Sequence, residues 1–391
     1  MTATADKARY FLEQSVPELK EFERKKIFSP EEITSIAKKR SDFEHQINAR
    51  GSSPTDYAQY AEFEINVDLL RRKRVKRLGI RATAHSGQRR IFFVFDRGVR
   101  KFPGDVKLWM QAIEYARSQK ALKKGTQMLT NVLRLHPTKA ELWIYAAQYA
   151  LEENGDMTEA RAYIQRGLRF CKNSKQMWLQ DFRLEMSWIA KIVARRRILG
   201  MEKEKQKEEE TKIVGEDDNV MMLPKLTAQD IAPEEEQEDK VDVTALENLE
   251  ATPIMSGAIP IAVFDAAMTQ FDHNPELARQ FFEEASAFGP LPMLGNILAH
   301  VDTLLQQSTP GDWNAMACNI ALPTSTILPD DPEFPAALRQ SLSRMNQALA
   351  RTEQREALVG WCRKYLEALL QQDPDPALQQ VLQSRVQALS G

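Results

Sequence analysis

The chain has few cysteines, and their positions give no sign of the sites that cysteines usually build. Only Cys171, Cys318 and Cys362 occur among the 391 residues, and no two of them form a CxxC pair. This spacing indicates neither a disulfide framework nor a zinc site. We therefore expect the three thiols to lie in or near the core.

Long apolar stretches and a large net charge are also missing. No uninterrupted apolar run approaches the roughly 20 residues that a membrane helix needs, and no charged-then-apolar leader opens the sequence. We therefore expect an intracellular protein that makes no use of a membrane. The net charge is only −2, so only a local basic surface could favour nucleic acid.

The motifs that mark common enzymes are absent from the sequence. There is no phosphate-binding glycine-rich loop and no GxSxG, and the five histidines are scattered without HExxH or another ligand spacing. The many carboxylates of the acidic stretch stand on no recognisable rigid frame for metal or acid–base chemistry. We expect a protein that is not an enzyme and that binds no metal, no cofactor and no small-molecule substrate.

What the chain does contain is a tryptophan that recurs at an almost constant spacing. Trp109, Trp143 and Trp178 lie 34 and 35 residues apart. A period in the range of about 20 to 50 residues indicates stacked structural repeats, here two helices each. The pattern predicts an all-α fold, an α-solenoid whose concave surface holds extended segments of partner proteins. The predicted structural core of the repeats consists of Tyr57, Tyr60, Phe63, Trp109, Tyr115, Trp143, Tyr149, Gly167 and Trp178.

Composition divides the chain into four parts. Residues 1–52 are predicted to form an N-terminal helical cap. Residues 53–200 are predicted to form the main repeat array, with an insertion at Arg81–Gln88. Residues 201–256 are dominated by Glu, Asp and Lys and predict an acidic linker that interrupts the solenoid and is largely disordered when unbound. Residues 257–391 predict a second helical array similar to the first.

Local signals predict several helix boundaries. Residues 7–50 are interpreted as two helices, and Ser29 with Glu32 forms a capping box at the start of the second. Thr138 and Glu141 are expected to start the helix of Trp143 in the same way.

The C-terminal part is less regular. Residues 310–335 are rich in proline and aspartate and predict a loop. Helices are predicted after it, over residues 336–350, 352–372 and 376–389.

One dense basic run stands out in the first array. Three interpretations stay open: contact with RNA phosphates or nuclear import, pairing with an acidic protein, or a solvated helix face. A weaker cluster, Lys38 to Arg40, is interpreted as plain surface. The candidate basic patch consists of Arg71, Arg72, Lys73, Arg74, Lys76 and Arg77, extended by Arg89 and Arg90.

The repeat units differ from tetratricopeptide repeats, which have Leu-Gly at the third and fourth positions after the tryptophan. Here the pattern Trp-x-x-Ala-x-x-Tyr occurs at Trp109 and again at Trp143, and an Arg-Gly pair occurs at Arg97 and at Arg166. This combination resembles the HAT (half-a-TPR) repeat, a helix-turn-helix unit known mostly from RNA-processing scaffolds.

The resemblance extends over residues 8–200, in segments such as LLRRKRVKRLGIR and LHPTKAELWIYAAQYALEENGD. They are similar to the HAT-repeat U3 small nucleolar RNA-associated proteins of the UtpB subcomplex in the small-subunit processome. The resemblance implies a non-catalytic scaffold of pre-rRNA processing in the nucleus and nucleolus. Its implied partners are other UtpB subunits, including β-propeller proteins, the U3 snoRNA and the pre-rRNA 5′ external transcribed spacer. The alternatives are a HAT-repeat scaffold of pre-mRNA splicing or 3′-end processing, and a directly RNA-binding helical module.

Overall fold

A computed structural model describes the chain, and every regular element in its described ranges is a helix, which confirms the predicted all-α class. The predicted acidic linker lies outside those ranges apart from its last residue, and so does most of the predicted insertion. The predicted boundaries of the four parts therefore stay predictions. The described ranges are residues 2–80, 86–198, 256–289, 291–372 and 375–390.

Residues Met1–Ala160 form one compact unit. Helices that are neighbours in sequence pack on each other, from α4 on α5 through to α7 on α8, and α4 also contacts α6. Packing between near neighbours in sequence is typical of helical repeats and is consistent with an α-solenoid. The helices of this unit are α1 (Thr2–Glu13), α2 (Val16–Arg24), α3 (Pro30–Asn48), α4 (Pro54–Leu78), α5 (Ser86–Lys101), α6 (Val106–Ser118), α7 (Leu122–Leu135) and α8 (Ala140–Glu152), and α9 (Met157–Phe170) begins in it.

Residues Arg161–Gly391 form the second compact unit. One apolar cluster of this unit includes Phe182, Phe264 and Phe281, whose side chains are fully buried. Both Cys318 and Cys362 are buried, as expected, whereas Cys171 is half-buried. After α9 the helices are α10 (Lys175–Ile198), α11 (Ala258–Gln270), α12 (Pro275–Ser286), α13 (Leu294–Ser308), α14 (Trp313–Ala321), α15 (Phe334–Arg351), α16 (Arg355–Gln371) and α17 (Pro376–Ser390).

Hydropathy gives a separate result: among the helices described, none combines the length and the apolar character required to span a bilayer.

The N-terminal helices confirm one local prediction and correct another. The Ser29 hydroxyl accepts a hydrogen bond from the Glu32 backbone, and the Glu32 carboxylate accepts one from the Ser29 backbone, which confirms the capping box. The prediction of two helices over residues 7–50 is wrong, because the first of them is divided into α1 and α2. Pro17 lies in the first turn of α2, where a proline is tolerated, whereas in the middle of one long helix it would remove a hydrogen bond.

Two further boundary predictions are wrong. Helix α8 has Lys139, not Thr138, at its N-cap position, and no side chain caps it there. The segment predicted as a loop over residues 310–335 contains α14, which Asp312 caps by accepting a hydrogen bond from the Asn314 backbone at 2.8 Å. Burial of its small apolar residues against neighbouring helices outweighs the surrounding turn residues.

The three periodic tryptophans share one hydrogen bond. In each case the indole N–H donates to the backbone carbonyl six residues earlier, which ties the start of a helix to the turn before it. The nitrogen–oxygen distance is 3.1 Å for Trp109, 2.8 Å for Trp143 and 3.1 Å for Trp178. A buried indole N–H needs such an acceptor, so the turn and the ring position each other.

Two glycines allow helices to approach closely. A Cβ atom at Gly98 would lie 3.1 Å from the Cβ of Tyr57 and 2.9 Å from a methyl group of Leu108. A Cβ atom at Gly125 would overlap the hydroxyl of Tyr149. Glycine thus makes room in α5 and α7 for aromatic rings of the neighbouring helices.

The second unit contains a carboxyl group whose ionisation opposes folding. Burial raises the pKa of Asp181 in α10 to about 7, and the nearby Glu185 carboxylate adds to the rise, while Arg161 opposes it. Arg161 is committed to Glu185, with both nitrogen–oxygen distances at 2.6 Å. Asp181 therefore binds a proton more tightly in the folded chain than in the unfolded chain.

We expect Asp181→Asn to stabilise the chain above pH 7 and to leave its stability unchanged near pH 3. Because the folded-state pKa lies above the unfolded value, the penalty is absent below about pH 4, grows as the pH rises and is complete above the folded-state pKa. The expected gain at pH 8 is about 2 kcal/mol, since the half-buried carboxyl keeps some contact with water. Urea unfolding at several pH values measures it, and equal effects at pH 3 and pH 8 would contradict it.

Candidate nucleic-acid and partner-binding surfaces

The predicted basic run lies on the C-terminal half of α4, which ends at Gly79 in the left-handed conformation. Cations near the C-terminus of a helix interact favourably with its dipole. The structure divides the run into cations that are paired inside the chain and cations that face solvent.

Arg71 and Arg72 are both paired with Asp68. The Nη2 atom of Arg71 lies 2.8 Å from Oδ1 of Asp68, and Nε of Arg72 lies 2.7 Å from Oδ2. Arg71 is only 3% exposed, and Arg72 also donates to the side chain of Gln119, the residue after α6, at 2.8 Å. Arg71 therefore cannot reach a polyanion, and Arg72 is tied to neighbouring side chains.

Arg74 joins α4 to the start of α3. Its guanidinium makes two hydrogen bonds to the Glu32 carboxylate, at 2.6 and 2.7 Å, donates to the Ile27 carbonyl, and stacks on the Phe28 ring. The hydrogen bonds from Arg74 and from the Ser29 backbone lower the pKa of Glu32 to about 2. The capping-box glutamate is thus also the ion-pair partner of a cation of the run.

Arg90 takes part in a network of buried charges. It donates to Glu18 at 3.0 Å, and Glu18 also accepts from Arg40 at 3.3 Å. Arg40 in turn makes two hydrogen bonds to Glu64, at 2.7 and 2.8 Å, and is 1% exposed. The interpretation of Lys38 to Arg40 as plain surface is therefore wrong for Arg40, which lies inside the unit because two carboxylates compensate its charge.

Four members of the predicted basic patch remain available. They are exposed, and within the described ranges they have no ion-pair partner. The structure leaves a smaller patch than the sequence indicates, because Arg71, Arg72, Arg74 and Arg90 are engaged in ion pairs inside the chain. The available cations are Lys73, Lys76, Arg77 and Arg89.

A groove of about 560 Å³ lies between α4 and α6. Its apolar lining includes Ile65, Phe95 and Tyr115, and Glu62 and Glu114 add two exposed carboxylates. The Tyr115 hydroxyl is buried without a hydrogen-bond partner in the described part of the chain, and burial raises its pKa to about 12. The groove offers apolar area with an acidic margin, which suits an extended peptide better than a polyanion.

The predicted core residues lie in the helix packing of the two units. Most of them are buried, while Phe63 and Trp178 are half-buried. Tyr60 stacks on Phe43 with ring centroids 5.2 Å apart, so this aromatic ring serves packing and is not offered to a base.

Sequence reasoning missed a pair of arginines at the ends of α5 and α7. Arg100 and Arg134 are exposed, make no ion pair among the described residues, and line one groove together. They lie 34 residues apart, which is the period that the tryptophans show. A search for charges at the repeat period could have found them.

Comparison with known proteins finds a family model that matches part of the first unit. The model of a family described as U3 small nucleolar RNA-associated protein 6 matches residues 12–93. The matched segment contains α2, α3, α4, the basic run and all four members of the buried charge network.

Three relatives extend the similarity. A U3 small nucleolar RNA-associated protein 6 of Schizosaccharomyces pombe is 39% identical over 199 residues, 50% of this chain and 41% of the relative. Its Dictyostelium discoideum homologue is 28% identical over 287 residues, 72% of this chain and 46% of the relative. The Homo sapiens homologue is 30% identical over 185 residues, 46% of this chain and 31% of the relative.

The aligned part thus covers less than half of each of these relatives. Over the aligned parts the identities are 28 to 39%. By its sequence, the chain is therefore similar, over part of its length, to U3 small nucleolar RNA-associated protein 6 of other organisms.

Proposed function

We propose that the chain acts in nucleolar pre-rRNA processing, as a scaffold that joins proteins around the U3 small nucleolar ribonucleoprotein. The family match over residues 12–93 is the observation that carries this proposal. The relatives are named for association with U3 small nucleolar RNA, and a related chain is expected to serve the same particle in the nucleus and nucleolus.

The finer part of the proposal concerns the repeat type and the assembly. We assign the helix pairs of the first unit to the HAT class, supported by the Trp-x-x-Ala-x-x-Tyr pattern and by the shared indole hydrogen bond. The chain then belongs to the UtpB subcomplex of the small-subunit processome, beside β-propeller subunits and near the pre-rRNA 5′ external transcribed spacer. Its role is binding without catalysis.

The groove between α4 and α6 supports a scaffold role. Apolar area with two exposed carboxylates, Glu62 and Glu114, favours an extended, basic segment of a partner protein. RNA contact is secondary in this proposal, because half of the predicted basic patch is engaged in ion pairs inside the chain.

We expect the tagged chain, purified from its own cells at moderate salt, to recover proteins of small-subunit ribosome assembly. Recovery that persists after ribonuclease treatment supports a protein scaffold, because protein contacts survive digestion of RNA. Mass spectrometry identifies the proteins, and hybridisation identifies the RNA in an untreated sample.

A variant of the tagged chain with Glu62→Lys and Glu114→Lys tests the groove. We expect this variant to recover fewer proteins than the parent chain under the same conditions. Recovery of splicing or polyadenylation factors in place of ribosome-assembly factors would contradict the proposal. Loss of all partners on ribonuclease treatment would contradict the scaffold role and favour a directly RNA-binding module.

A further inference from the structure

The exposed cations at the ends of α5 and α7 form a surface that the predicted basic run does not include. Arg100 and Arg134 line a groove of about 370 Å³, together with Trp109, Asn131 and Leu135. No carboxylate lines this groove. Neither guanidinium has a partner in the part of the chain that the structure describes, so both can bind an anion from outside.

Arg100 also lines a second and larger groove of about 740 Å³. There it lies beside Arg97 and Lys101, with Asp6 as the one carboxylate among the lining residues. The two grooves share Arg100 as a lining residue, and we call the residues that line them the α5–α7 surface.

Two cations of the α5–α7 surface are held in place by the unit itself. Arg97 makes hydrogen bonds to both carboxylate oxygens of Glu44, at 2.8 and 3.0 Å, and Lys101 donates to the Ile47 carbonyl at 2.8 Å. These contacts fix the shape of the larger groove. Arg100 and Arg134 carry the free charge.

The larger groove also offers an aromatic ring. Tyr10 lines it and is 58% exposed, and its ring packs against that of Phe11 in a T-shaped arrangement with centroids 5.4 Å apart. An exposed aromatic ring in the same groove as the unpaired guanidinium of Arg100 is a combination suited to single-stranded nucleic acid, because the ring can stack on a base and the cation can pair with a phosphate. An acidic peptide would use the cations but not the ring.

We propose that the α5–α7 surface binds single-stranded RNA, with Arg100 and Arg134 on successive phosphates and Tyr10 stacked on a base. The site is separate from the exposed cations of α4 and from the groove between α4 and α6. RNA binding would explain why Arg100 and Arg134 are exposed at the repeat period, since, among the described residues, neither side chain contributes an ion pair to the packing of the unit.

The test is binding of a fluorescent oligouridylate of about 12 nucleotides to the full chain, measured by anisotropy over a range of salt concentrations. We expect Arg100→Glu with Arg134→Glu to weaken binding at least about tenfold and to reduce the salt slope by about 1 to 2, since each phosphate contact contributes roughly 0.7 for single strands. The matched control is Lys73→Glu with Arg77→Glu, which makes the same change in charge on exposed α4 residues. We expect it to weaken binding less than about threefold.

A third variant separates RNA from an acidic protein. Tyr10→Ala should weaken oligouridylate binding about fivefold or more without changing the salt slope, because stacking does not release counterions. Binding of poly-glutamate should be unaffected by this variant. Circular dichroism melting of all variants checks that they are folded.

Four results would overturn the proposal: no oligouridylate binding by the parent chain, equal loss in the α4 control, a Tyr10→Ala variant that binds like the parent, or poly-glutamate that binds as tightly as the RNA. The experiment uses purified chain and no partner protein. Its failure is therefore distinguishable from failure of the scaffold proposal, which the purification from cells decides.

Discussion

Replacing Arg40 with alanine is expected to lower the free energy of unfolding by about 3 to 5 kcal/mol. The arginine is almost fully buried and makes two hydrogen bonds to Glu64 and one to Glu18. Removing it leaves the Glu64 carboxylate, 2% exposed, without its compensating charge in a medium of low polarity. An uncompensated buried charge is one of the few single changes that cost this much.

Urea unfolding followed by circular dichroism measures the effect of Arg40→Ala. The control is Arg9→Ala, which removes a cation from an ion pair with Glu13 whose side chains are 81% and 63% exposed. Exposed pairs contribute little, so we expect the control to change the free energy by less than about 0.5 kcal/mol.

A second variant separates the cost of losing the salt bridge from the cost of leaving one buried charge unpaired. In the double variant Arg40→Met with Glu64→Leu, both charges are absent, and apolar side chains fill much of the space. We expect this variant to be more stable than Arg40→Ala, because nothing charged is left unpaired at that position. If Arg40→Ala is as stable as the parent chain, the buried network does not contribute as the structure indicates.

Replacing Trp143 with alanine is expected to cost about 3 to 5 kcal/mol, and to act through folding. Its ring is 6% exposed, and its N–H donates to the Pro137 carbonyl at 2.8 Å. The variant loses both the packed ring and the bond that holds the turn before α8. The helical signal and partner recovery should therefore decrease together.

Trp143→Phe is the matched variant for this prediction. It keeps a ring in the core but lacks the indole N–H, so we expect a cost of about 1 to 2 kcal/mol. Thermal melting monitored by circular dichroism ranks the parent chain, Trp143→Phe and Trp143→Ala. A Trp143→Ala variant that keeps its helical signal and melting temperature but loses its partners would contradict the structural role.

The outcome at the predicted basic patch shows where sequence reasoning stops. Arg74 is paired with a residue 42 positions away, and Arg90 with one 72 positions away. Spacing along α4 reveals that cations share a helix, but it does not reveal which carboxylates other helices bring to them. Half of the patch therefore proved to be structural, while Arg100 and Arg134 on other helices proved to be exposed.

Helix boundaries show the same limit of prediction from sequence. The capping box of Ser29 and Glu32 was predictable, because both hydrogen bonds join groups three residues apart. Helix α14 was missed, since its small apolar residues gain their stability from burial against distant helices and not from local signals.

The sequence by itself determined the all-helical class, the tryptophan period and most of the helix positions, because hydropathy spacing and end signals act over a few residues. The tertiary structure alone decided that Arg40 is an interior residue, that Arg72 and Arg74 bond to residues outside their own helix, and that Arg100 and Arg134 at the ends of α5 and α7 are exposed. These outcomes depend on which charges meet across helix interfaces, and the free energy of a charged side chain depends on its burial and on its partner.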